Sequence, residues 1–192
     1  MKSLSAVLLT TVVYHATALS AEAPPQVAES RAAAAEFMQT LKGELMQGLQ
    51  AGGPVNAIGV CKLRAPAIAA EVGARKGWQV GRTSFKLRNP ANAPDDWERA
   101  GLESFEQRKQ TGEDPATLEY YAVVEQEGKP VFRYMKAIPT AELCLTCHGA
   151  AIDPAVAAQL AELYPGDQAR GYKMGDIRGA FTFVEPLSPP AD

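Results

Sequence analysis

Histidine is nearly missing from this chain, which has two in 192 residues, His15 and His148. A conventional nucleophile–base pair therefore has almost nothing to draw on. Basic runs are missing as well. The formal charge is −3 with no cationic tail, so the electrostatic footprint of a nucleic-acid binder is absent. Beyond the first twenty residues no stretch is long and apolar enough to cross a bilayer, which needs about 20 residues. No repeat recurs at solenoid spacing. Cysteine is sparse, three residues, so any pairing leaves one over. With 46% hydrophobic residues the chain can bury one ordinary core, and its length does not call for a second domain.

What the chain does contain is Cys144-Leu145-Thr146-Cys147-His148. Two thiols at this spacing reach the two vinyl groups of one porphyrin, and the imidazole that follows folds under the ring to ligate iron. The motif predicts one covalent haem c, held by Cys144 and Cys147, with His148 on the metal.

Residues 1–20 read as a secretory signal peptide. Lys2 gives a positive start, Leu4 to Val13 an apolar stretch, and Ala16-Thr17-Ala18 or Ala18-Leu19-Ser20 a small-residue cleavage site. An uncleaved anchor is the alternative, but the apolar run is about half of the ~20 residues a span requires. Because c-type haem is attached outside the energy-transducing membrane, export and the motif agree, and a soluble periplasmic protein is expected. Cleavage removes His15. His148 is then the only histidine left, so bis-histidine ligation within one chain is excluded.

Along the mature chain, residues 21–30 read as a flexible lead-in, 31–187 as a single domain and 188–192 as a tail. Phe37, Leu41, Leu45 and Leu49 make one helical stripe closed by Gly52-Gly53. A second helix opens at Pro54 and carries Ile58, Cys61, Ala65, Ile68 and Val72 inward, with a break expected near Arg64-Ala65 ahead of Pro66. From Trp78 to Asn89 the period is two, with Arg82, Ser84, Lys86 and Arg88 on one face of an extended segment. That face is either a solvated strand face or an anion site, and Arg82, Lys86 and Arg88 are the candidate propionate partners. Pro94 to Glu98 suits a helix start. Segments 118–126 and 131–138 read as a hairpin, 154–163 as a helix and 179–185 as a last strand. Helices, a hairpin, a motif helix and a final strand describe an α+β domain with an antiparallel sheet.

Cys61 is the odd cysteine. It is a small buried hydrophobe, or the iron ligand opposite His148, or it is spare while Met174 takes that position; an open sixth position is a further possibility. From the residues alone, Cys61 and Met174 stand level as ligands. A Cys3His zinc site from Cys61, Cys144, Cys147 and His148 would need the adjacent Cys147 and His148 on neighbouring corners of one tetrahedron, which local backbone resists. A Cys144–Cys147 redox disulfide leaves His148 unexplained.

Several runs resemble the periplasmic c-type haem domains with a PAS-like fold. They are Ala57-Ile58-Gly59-Val60-Cys61 with Ala65-Pro66, then Arg82 to Pro94 with Trp97-Glu98, then Cys144 to Gly149, and Gly175-Asp176-Ile177-Arg178-Gly179-Ala180. The resemblance implies a single haem packed between N-terminal helices and an antiparallel sheet. It also implies a cysteine from the upstream helix as the second iron ligand, and the matching position is Cys61. A histidine/thiolate iron has a low reduction potential, and reduction weakens the iron–sulfur bond and lets the thiol protonate. These properties suit a redox- or gas-responsive sensor, non-catalytic, that answers to an unidentified periplasmic redox or signalling partner or to a diatomic gas once Cys61 leaves. A small electron-transfer cytochrome is the alternative.

Overall fold

Pro25 stands at the first helical position, where a missing N–H is no loss, and opens α1 (Pro25–Lys76). The structure is a computed structural model describing residues 23–187. The expected signal peptide, 1–20, and tail, 188–192, lie outside the described residues. The lead-in expected over 21–30 is instead helical from Pro25, because Val27 is fully buried in the main core and draws the chain onto it.

Within α1 the backbone leaves helical dihedrals at Gly52 and at Gly53 (φ 69°, ψ −167°), where the stripe pattern ended. The chain folds there into two antiparallel arms. Arg75 bonds Glu36, Arg64 bonds Glu44 at 2.7 Å, and Asn56 Nδ2 donates to the Gly48 carbonyl at 2.9 Å. The break expected before Pro66 does not occur and helical dihedrals run through it. Ala65 and Ile68, each 1% exposed, hold that turn against the rest of the fold despite the lost hydrogen bond. Gly77, in the left-handed region, stops the helix.

Four antiparallel strands follow, β1 (Gln79–Thr83), β2 (Glu119–Gln126), β3 (Lys129–Pro139) and β4 (Ile177–Pro186), ordered β1-β4-β3-β2. The expected hairpin is β2–β3. Its two-residue turn puts both Glu127 (φ 53°) and Gly128 (φ 75°) at positive φ, as a type I′ turn requires. The period-two segment is shorter than expected: pairing stops at Thr83, and the chain from Ser84 to Asn89 turns away from the sheet.

Alternation along the strands divides the core. Phe132, Tyr134, Phe181 and Phe183 meet Val27, Phe37, Ile68 and Val72 of α1. Met135, Ala137 and Ala180, from the opposite face, meet Leu102 and Phe105 of α2 (Asp96–Gln110), whose start is closed by an Asp95/Glu98 capping box. Each large side chain buried in this way contributes on the order of 2 kcal/mol. Two short helices complete the chain, α3 (Glu142–His148) and α4 (Pro154–Leu163). Ile58 of α1 joins Val156, Leu160 and Tyr164 in a third cluster, against which Cys147 packs. The architecture is thus α+β, with helices on both faces of one antiparallel sheet, and α3, which carries Cys144, Cys147 and His148, lies where the second arm of α1 meets α4.

Gly53 adopts a conformation that an L side chain reaches only at about 1–3 kcal/mol. Gly53→Ala should therefore lower unfolding free energy by that amount in urea titration. Gly43→Ala, mid-helix with open space at its Cβ, should be neutral or stabilising by about 0.5–1 kcal/mol.

Candidate functional site

Cys144 and Cys147 are three residues apart on α3, so both thiols project from one face of the helix. All three cysteines are free. His148 is the last residue of α3, and its ring is held from two sides. Nδ1 lies 2.8 Å from the Ala169 carbonyl oxygen. A carbonyl only accepts, so Nδ1 carries the proton and Nε2 keeps its lone pair. With Nδ1 engaged, Arg178 Nε, 3.4 Å from Nε2, has that lone pair to donate to, and Arg88 Nη1 stands 3.4 Å from the same atom. The Tyr172 ring packs edge-on at 6.2 Å. Burial, reinforced by the two guanidiniums, pushes the imidazole pKa down to about 2, so His148 is neutral.

Arg88 is 8% exposed and forms the hub of this region. Its guanidinium pairs with Asp167 at 3.0 and 3.1 Å and donates to the carbonyls of Cys147 (2.6 Å) and Ala169 (3.3 Å). Ending β1 at Thr83 is what allows this: the released segment runs beside residues 166–170, with Gln168 N–H donating to Leu87 O at 2.7 Å. Asp167 also accepts from Ala169 N–H and from Arg170. Burial raises its pKa, but the bonds from Arg88, Arg170 and the Ala169 amide outweigh that and hold the carboxyl below its ordinary range.

Arg178 reaches the site through a register fault. Ile138 pairs with Gly179 and Pro139 with Ile177, so Arg178 is the unpaired residue of a β-bulge. At Gly179 (φ 154°) a Cβ would lie 2.3 Å from Thr83 O, so only glycine permits this approach of β4 to the end of β1. Ser84 Oγ bonds the Arg178 carbonyl at 2.8 Å and accepts from its Nη1 at 3.1 Å.

Arg82, over the Phe37 ring at 6.0 Å, makes no ion pair among the described residues, and neither does Arg178. Burial lowers the pKa of both. Cys61, half-buried on the second arm of α1, faces the same charges: burial pushes its thiol pKa up, and Arg82, Arg88 and Arg178 pull against it.

The sequence-derived set divides accordingly. The structure gathers Cys61, Cys144, Cys147, His148, Arg82 and Arg88 into one neighbourhood. Lys86 is exposed at the rim, its Nζ on the Arg170 carbonyl and 5.0 Å above the Tyr172 ring. Met174 is 64% exposed. No group of three or more His, Cys, Asp or Glu among the described residues is placed to hold a metal ion, so the Cys3His zinc arrangement does not form. Arg178, Asp167 and the Ala169 carbonyl were missed. A charged residue beside glycine at the head of an apolar strand was the available signal for Arg178; Asp167 stands in Pro165-Gly166-Asp167, a turn-forming run that gives no sign of a buried carboxylate.

Removing one partner of a buried pair strands the other charge. Asp167→Asn should cost about 3 kcal/mol or more in denaturant unfolding at pH 7. Because the folded-state pKa of Asp167 is depressed, its contribution is full above the ordinary carboxylate pKa of about 3.9 and is lost as pH falls through the folded value. The gap between wild type and variant should therefore close in acid.

A family model described as Tll0287-like matches residues 12–186. Among solved structures the chain is similar to the crystal structure of the cyanobacterial heme-protein Tll0287, with a TM-score of 0.65 and 24% identity, covering 88% of this chain and 100% of that one. No curated protein matches. That likeness concerns the fold, and the family match spans nearly the whole sequence: this chain belongs to the Tll0287-like family.

Proposed function

We propose that this chain is a periplasmic, PAS-like monohaem protein that senses redox state or a diatomic gas, with haem c attached through Cys144 and Cys147 and iron held between His148 and Cys61. The solved relative of the same fold is a heme-protein by its title, which supports the cofactor class. The observation that carries the reading is the donor set. Two free thiols share one face of α3, and the imidazole after them is neutral with its Nδ1 proton tied to Ala169 O, so Nε2 is the ring atom with a lone pair, which a metal would take over from the guanidiniums of Arg178 and Arg88 now 3.4 Å from it.

The surroundings also fit the group. Three largely buried guanidiniums, Arg82, Arg88 and Arg178, face the site with one buried carboxylate, Asp167, among them. Unbalanced buried cations are unfavourable, and the two propionates of a haem would offset them. Arg178 takes the place in this set that the strand pattern assigned to Lys86, whose amine points to the rim.

A bound haem c would supply a one-electron couple at its iron. The protein's part is to set the state of Cys61. Burial favours the protonated thiol, and the three arginines favour the thiolate. Between these opposing influences Sγ can take up or release a proton when the charge beside it changes, and a protonated Cys61 would hold a metal less firmly than the thiolate. We assign no catalytic step: His148 is committed to the metal, and no histidine other than His15 remains in the chain.

A pyridine haemochrome assay should give one covalent c-type haem per chain, and none if Cys144 and Cys147 are both changed to Ala. In the ferric spectrum, Cys61→Ala should remove the thiolate signature and Met174→Leu should leave it intact. Identical wild-type and Cys61→Ala spectra would exclude Cys61 as a ligand and the switch with it. Fast, reversible reduction with no ligand change would assign the chain as a simple carrier.

A further inference from the structure

The charge around the site is opposite in sign to that of the chain. Overall the formal charge is −3, yet Lys62 with segments 82–89 and 163–178 carries seven cationic side chains against two carboxylates. Of those two, Asp167 is buried between Arg88 and Arg170, and Asp176 is held by Lys109 at 2.8 Å. Neither presents an unpaired negative charge.

Three of the cations form an outward rim. Lys62, Lys86 and Lys173 are exposed, and none has an ion-pair partner among the described residues. Lys62 Nζ rests on the Leu163 carbonyl at 3.3 Å and lies over the Tyr164 ring, which places it at the α1–α4 edge. Lys86 Nζ lies 5.0 Å from the centre of the Tyr172 ring, which packs edge-on against His148, and Lys173 follows Tyr172 in the chain. Lys62 borders a shallow depression lined by Pro90, Leu163, Tyr164 and Pro165, and Lys86 borders a second, more apolar one on the other side of the 84–90 segment. Phe85, 41% exposed, stands at the mouth of a cavity of about 270 Å³ floored by Leu102, Tyr172 and Ile177, with Glu106 as the one acidic group on its wall.

Apolar depressions edged by exposed lysines fit a partner whose contact face combines hydrophobic side chains with carboxylates. Fixed cations beside low-dielectric walls focus the field at the opening and steer anions toward it whatever the sign of the total charge. Two haem propionates would offset the buried arginines and leave the three lysines in place.

Taking the site to be a redox centre, as above, we propose that this rim docks an acidic one-electron redox protein. One electron crosses per encounter, no bond is made or broken, and the partner is reduced by one as the site is oxidised by one, or the reverse.

The holoprotein's oxidation rate tests this with two inorganic probes of opposite charge, ferricyanide and hexaammineruthenium(III). Steering by the rim requires the ferricyanide rate constant to fall by about threefold or more between 10 and 300 mM ionic strength, and the ruthenium rate to rise. The triple variant Lys62→Glu/Lys86→Glu/Lys173→Glu should keep the haem spectrum and reverse both trends. The wild-type trends alone also decide: a cationic probe favoured at low salt means that total charge governs, and overturns the proposal.

A second measurement does not depend on haem. At pH 7 and low salt the wild-type protein should be retained on a sulfonated cation-exchange surface in spite of its net negative charge, and the variant should pass through. Flow-through of wild type would overturn the docking face. Retention by protein that fails the haemochrome assay would keep the face and reject the redox centre.

Discussion

Everything at this site is arranged around buried positive charge. Arg88, Arg178 and Arg82 are brought largely out of water against a single buried carboxylate, and the fold answers that imbalance with whatever acceptors lie near. Carbonyls of Cys147 and Ala169 take N–H groups from Arg88, Ser84 takes one from Arg178, and Asp167 bridges Arg88 and Arg170. The same contacts tie α3, the 163–173 segment and the head of β4 together, so the electrostatic problem and the placement of His148 are one problem. Burial, with Arg178 and Arg88 beside the ring, disfavours the imidazolium, and a neutral imidazole is the form that can offer a lone pair to a metal.

The sheet supplies the rigid base for this arrangement. Its aromatic face buries against α1, and Cys61 lies on that helix one turn from Ile58, whose contacts with α4 and Tyr164 bring it beside the motif helix. The bulge at Arg178 and the glycine after it relax the pairing where β4 passes the end of β1, which turns one strand residue out of register and toward the site. Stability in the strand interiors and irregularity at their ends thus have separate tasks.

Much of this was legible in the residues. Hydrophobic periodicity located both arms of α1, the acidic start of α2 and the β2–β3 hairpin, because each rests on contacts within a few residues along the chain. Less was legible from Ser84 to Asn89. Alternation there suggested a continued strand with Arg82, Lys86 and Arg88 on one face, whereas Arg88 turns in to meet Asp167, seventy-nine residues later, and Lys86 turns out. Local pattern cannot register a partner so distant, and once Arg88 is buried its charge has to be met by a carboxylate there. The lead-in failed for a similar reason: Ala- and Pro-rich sequence reads as solvated until a sheet is available to bury Val27.

By itself the sequence determined the composition of the site, through chemistry that needs no coordinates. Two cysteines at a fixed spacing with a histidine after them name a class of ligand set, and a count of histidines limits what can complete it. Only the tertiary structure decided which cations surround that set, since Arg178 depends on a strand register and Arg88 on where β1 stops. It also placed Cys61 among those cations and Met174 in solvent. Covalent spacing is a property of the chain, whereas burial and long-range charge pairing exist only once distant segments share one interior.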